Sequence, residues 1–155
     1  MLKKVIISIV LVVVLIGAVL VIYKVLNPKN AAVLSEGNYI EATFMSDPST
    51  NLDPVVSNAI QVGGTIYDST GKAQFKITDV KVTPMIVWNT NSNGQIVKAT
   101  HPYYVTVTIT AKSINKKYAW AYPYGTDLIL SGAHVAIYGD NWKIWSVILS
   151  VKDVK

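Results

Sequence analysis

The chain has 155 residues, enough for one ordinary domain and an appendage. It has no cysteine and no arginine. This excludes disulfides and thiolate metal sites, and it removes the side chain best suited to bidentate phosphate or guanine contacts.

Fourteen lysines stand against nine acids, but Lys3, Lys4, Lys24 and Lys29 flank a single apolar run. From Ala31 onward the balance is ten against nine, so the basic excess belongs to the flanks of that run, and no nucleic-acid partner is expected. The run is Val5 to Tyr23, nineteen residues without a charge, interrupted only by Ser8 and the Tyr23 hydroxyl. As a helix it would extend about 28 Å, close to the hydrocarbon thickness of a bilayer. Much of it is β-branched, which soluble helices disfavour and lipid tolerates, because backbone bonding inside the segment is compulsory there. A spanning helix is expected, with Val5, Ile6, Ile7, Leu11, Val14, Leu15, Ala18, Val21 and Tyr23 in contact with membrane lipid. A cleaved signal peptide would begin in the same way. However, its apolar core is usually about 7–15 residues long, and the nearest small-residue pair, Ala31-Ala32, lies well past the run. A retained anchor is the reading. The flanking lysines are tied at two each, and the short N-terminal tail favours N-inside with an extracytoplasmic domain. The organisation expected is an anchor at 1–23, a linker at 24–38 and a β domain at 39–155.

Alternation begins at Tyr39, where Ile40, Ala42 and Phe44 share one face of a strand reaching Met45. Residues 47–51 read as a loop. Asp53-Pro54 supplies an N-cap and an N1 proline for a short helix over Val55 to Ile60. Strands at Thr65 to Tyr67 and Ala73 to Val82 flank the turn Asp68-Ser69-Thr70-Gly71. A second hairpin joins Met85–Trp88 to Gln95–Ala99 through Asn93-Gly94, the strongest short hairpin signal in the chain. Tyr104 to Ala111 sets Val105, Val107 and Ile109 inward against three outward threonines. Leu128 to Leu130, His134 to Tyr138 and Trp142 to Val151 complete the set, with Gly139-Asp140-Asn141 turning between the last two. The fold class is mostly β, an N-terminal transmembrane helix followed by a small antiparallel β-sandwich or barrel.

The chemistry-bearing residues do not assemble into a motif. His101 reads as a loop residue before Pro102, and His134 as a packed or rim side chain of a strand. The serines form no nucleophile elbow, so no catalytic residue is assigned. Asn89, Asn91, Asn93 and Gly94 imitate the start of an EF-hand loop, but the carboxylates are missing and Thr100 stands at the twelfth position. They read as an Asn-rich turn. Gly63-Gly64 opens a strand instead of feeding a helix, so it is no phosphate cradle. No metal and no cofactor are expected. Tyr118, Trp120, Tyr122 and Tyr124 alternate beside Lys116 and Lys117, so an extended segment would set all four on one side. The leading reading is that this segment packs across an open end of the barrel as core. The other is that the four are a candidate binding surface, either a stacking platform for sugars or a partner, or a belt lying on lipid headgroups. Trp142 and Trp145 fall on opposite strand faces, so at most one of them joins such a patch.

The stretch Val62-Gly63-Gly64-Thr65-Ile66-Tyr67-Asp68, followed by Thr70-Gly71 and by Ile77-Thr78-Asp79-Val80-Lys81-Val82-Thr83-Pro84, resembles a family. This is a domain of unknown function in prokaryotic proteins with one N-terminal membrane helix and a short β domain. The likeness would cover nearly the whole chain, with its specific part at residues 62–84. The family usually has a glycine where Trp145-Ser146 stands here. The resemblance implies the anchor-plus-β-domain order and carries over neither an activity nor a catalytic residue. The function expected is a non-enzymatic envelope protein whose β domain binds a protein partner or self-associates. The alternative is a pilin-like filament subunit with the apolar helix in a fibre core. That alternative lacks a processing site between Lys4 and Val5, and no acid precedes Glu36.

Overall fold

The computed structural model describes residues 38–118 and 121–154. The expected anchor at 5–23 and nearly all of the linker lie outside the described residues. Among those described, no helix is long and apolar enough to cross a membrane.

The expected β domain is a closed antiparallel barrel. Its strands are β1 (Tyr39–Ser46), β2 (Thr65–Tyr67), β3 (Ala73–Thr90), β4 (Ile96–Ser113), β7 (His134–Tyr138) and β8 (Lys143–Val154). Around the barrel the order is β1-β4-β3-β2-β7-β8, and β5 (Pro123–Tyr124) pairs separately with β6 (Asp127–Leu128). Closure pairs the strand edges that a sandwich would expose, apart from the outer part of the β3–β4 hairpin. It also demands strict alternation, which the sequence supplies. Ile40, Ala42 and Phe44 point inward from β1, Val107, Ile109 and Ala111 from β4, and Ile144 and Ile148 from β8; all are buried. Phe44 meets Phe75 edge to face at a centroid distance of 5.5 Å, near the middle of this core.

A one-turn helix, α1 (Pro54–Ala59), starts where Asp53 accepts a hydrogen bond from the Val55 backbone N–H at 2.8 Å. It lays Val56 on the core, flanked by buried Leu52 and Ile60.

Two expected boundaries are corrected. Ala73–Val82 and Met85–Trp88 are not separate strands but one, β3, which runs through Pro84. A proline is tolerated there because the pairing of β2 with β3 ends at Lys76, leaving that side of β3 as an edge. The register also shifts between Pro84 and Ile86. Likewise Gln95–Ala99 and Tyr104–Ala111 fuse into β4, and His101 is a strand residue instead of a loop residue.

Candidate functional site

The aromatic segment divides. Tyr122 and Tyr124 are each only 2 % exposed, so they take no part in a surface platform. They belong to the barrel core beside Phe75, with centroid distances of 5.0 and 6.3 Å. The Tyr122 hydroxyl donates to the Gln74 carbonyl at 2.9 Å, and Tyr124 donates to the Tyr67 carbonyl at 2.6 Å. Burial raises the pKa of both phenols, which keeps them protonated donors. Alternation did not hold the four together, because this segment contributes only the short β5 to an extended pairing. Tyr118 is 54 % exposed, and Trp120 lies outside the described residues.

The histidines serve as structural supports. His101 Nδ1 accepts from the backbone N–H groups of Tyr103 and Tyr104 at 3.2 and 3.1 Å, and its ring stacks on Tyr104 at 4.5 Å. His134 Nδ1 lies 2.9 Å from Asp47 Oδ2. The Ser49 hydroxyl donates to Asp47 Oδ1 and so sits on the carboxylate, where a triad would need it on the imidazole. Ser49 is also the main reason the Asp47 carboxyl titrates below its ordinary range, with His134 adding to the effect. At Asn91, the carboxamide oxygen accepts from the Asn93 and Gln95 N–H groups, which uses it in closing a turn. Among the described residues, no group of three or more His, Cys, Asp or Glu side chains is placed to hold a metal ion.

The surface that sequence reasoning missed is the far end of the β3–β4 hairpin. On the barrel, β4 pairs with β1 from Lys112 to Thr108, and a bridge between Leu52 and Val105 extends its cover slightly. Beyond that the two strands continue as an unsupported ribbon, pairing from Ile86↔Thr100 to Thr90↔Ile96. The register shift beside Pro84, where His101–Tyr104 of β4 stand against Met85 alone of β3, separates this ribbon from the barrel part of the hairpin. Directly paired residues of an antiparallel ladder share a face. Ile86, Trp88 and Ile96 therefore lie on one face with Lys98. Trp88 is 68 % and Ile96 74 % exposed. No acid occurs between Asp79 and Asp127, whereas Lys81 and Lys98 lie on the hairpin. The result is an apolar strip in a positive setting. Each half of this hairpin was legible as a strand; what escaped was that no other element among the described residues covers them.

Compared with family models, curated proteins and solved structures, the chain matches none. The likeness at residues 62–84 therefore stands on those residues alone.

Proposed function

We propose that this is a membrane-anchored, non-catalytic binding module that engages a protein partner through the 86–100 ribbon. The observation that carries the reading is the exposure of Ile86, Trp88 and Ile96 on a two-stranded arm that pairs with no further strand among the described residues. A lone hairpin is marginally stable in water, and clustered exposed apolar side chains mark interaction sites. The anchor half of the proposal rests on the uncharged run at 5–23.

The partner's chemistry follows from the charge. The ribbon carries Lys98 beside Trp88 and no acid, so the complementary surface is apolar with an acidic group at its rim. The chain enters the barrel at Tyr39, beside Lys112, whereas the ribbon lies at the other end of β4, roughly 40 Å along the strand. The first strand of the domain and the arm thus lie at opposite ends of β4.

Photo-crosslinkers placed at Trp88 and Ile96 of the full chain in its own membranes test this, with Leu149 on the barrel wall as control. A discrete adduct with another protein from the arm positions alone is expected. Arm-to-arm adducts of two copies, lipid adducts only, or equal yield from Leu149 would overturn it. Release of the protein by carbonate wash would overturn the anchor, and fibres in negative stain would favour the filament alternative.

A further inference from the structure

We propose that a cleft on the outer wall of the barrel, between residues 59–65 and the β7–β8 turn, binds a neutral sugar ring. The site is independent of the ribbon.

The cleft exists because the barrel is closed weakly at this seam. β2 and β7 are joined by a single residue pair, Tyr67↔Tyr138, whereas β3 and β4 pair along most of their length. The gap beside that pair has a volume of about 310 Å³, at the lower end of small-molecule sites. Trp142 forms one wall, and Gln61, Thr65, Asp140 and Asn141 supply the polar groups.

The site is pre-organised. The Trp142 indole lies directly on Gly139, where any added Cβ would run into the ring, and the Gly139 N–H donates to the Trp142 carbonyl at 2.8 Å. Trp142 is also packed against the core, so the ring is held from below. On the opposite side the polar groups form a chain. Lys76 Nζ donates to Thr65 Oγ1 at 2.7 Å, and the Asp140 carboxylate near the Tyr67 hydroxyl raises that phenol's pKa. A carboxylate offers about four lone-pair positions, so Asp140 has acceptors for a ligand.

These groups select the ligand by exclusion. The charged residue lining the cleft is Asp140, and the Lys76 ammonium at its edge bonds to Thr65 and the Gly63 carbonyl, so the two charges balance and favour a neutral ligand over a phosphate. Carboxylate, carboxamide and hydroxyl groups on one side are wasted on a lipid chain. A pyranose satisfies both sides. Its C–H face packs on an indole, and its hydroxyls each donate and accept, matching Asp140, Asn141, Gln61 and Thr65.

The test uses the full-length protein in a zwitterionic, non-glycosidic detergent. It is titrated with neutral oligosaccharides built from glucose, mannose, galactose or N-acetylglucosamine, and in parallel with inorganic phosphate. Calorimetry and the tryptophan indole N–H resonances report binding. At least one oligosaccharide is expected to saturate with a Kd of about 1 mM or tighter, shifting the Trp142 resonance and leaving Trp145 unmoved. Asp140→Asn should weaken it about tenfold, and Asn141→Ala, also at an exposed position, should weaken it without altering the unfolding midpoint. Gly139→Ala, which displaces the indole, should weaken it as well. Trp145→Ala should bind as the unaltered protein does. Absence of saturable binding by every neutral sugar, full binding by both Asp140→Asn and Asn141→Ala, or preference for phosphate would overturn the assignment.

Discussion

Replacing Asp68 with asparagine removes a charge that holds together the β2–β3 turn and the segment around β5. Asp68 Oδ1 accepts from the Thr70 N–H at 2.9 Å, the Thr70 hydroxyl at 2.5 Å and the Lys72 N–H at 3.1 Å. Its Oδ2 accepts from Gln74 Nε2 at 2.5 Å and from the Gly125 N–H at 3.1 Å. Gln74 in turn receives the Tyr122 hydroxyl through its carboxamide oxygen, so the network reaches the core tyrosines. Burial alone would raise the Asp68 pKa, but the Thr70 and Gln74 side chains and the Lys72 and Thr70 N–H groups outweigh it and hold the carboxyl at about 2. Against the ordinary 3.8, the lowered value corresponds to about 2 kcal/mol. The folded pKa lies below the unfolded one, so this stabilisation is fully present above about pH 5 and is lost as pH falls toward 2. The asparagine variant also turns an NH2 toward the Gln74 or Gly125 donors, costing about 1 kcal/mol at any pH. Urea unfolding of both proteins at several pH values should show a deficit of about 2–3 kcal/mol at pH 7 that shrinks to about 1 kcal/mol near pH 2. A deficit that stays constant over this range would refute the assignment of the carboxylate as an ionised hub.

Other outcomes follow from packing. Phe44→Ala, in the fully buried centre of the barrel, should cost about 3–5 kcal/mol in the same assay. Tyr122→Phe keeps the ring in place and removes only its bonds to Gln74, so a loss of about 1–2 kcal/mol would show that the segment at 121–129 is bonded into the core. Trp88→Ser combined with Ile96→Ser should change stability by no more than about 0.5 kcal/mol while abolishing arm-specific crosslinking. A large destabilisation would mean the ribbon is packed within the protein and not presented to a partner.

Much of the barrel was legible because a half-buried strand writes its burial into the sequence at period two. The alternation at Tyr39–Met45 and Tyr104–Ala111 marked the buried faces of β1 and β4, and Asp53-Pro54 marked the start of α1 through a cap that is local to the chain. His134–Tyr138 matches β7 residue for residue. The aromatic segment was less legible, since period two in Tyr118–Tyr124 tells which side chains share a face only where the backbone is extended. The ribbon was illegible for a different reason. Trp88 and Ile96 look like core residues of ordinary strands, and nothing local reveals that no other described element lies over them.

By itself, the sequence determined a nearly neutral, mostly β domain from residue 39, an uncharged nineteen-residue run ahead of it, and the absence of thiol and arginine chemistry. These are properties of composition and short-range pattern. Only the tertiary structure decided that the strands close into a barrel, that Tyr122 and Tyr124 enter its core, that β2 and β7 meet at one pair and leave a cleft, and that the β3–β4 hairpin outruns its neighbours. Each of these depends on where strands far apart in the chain end relative to one another. That is a matter of register and closure, which no window of the sequence contains.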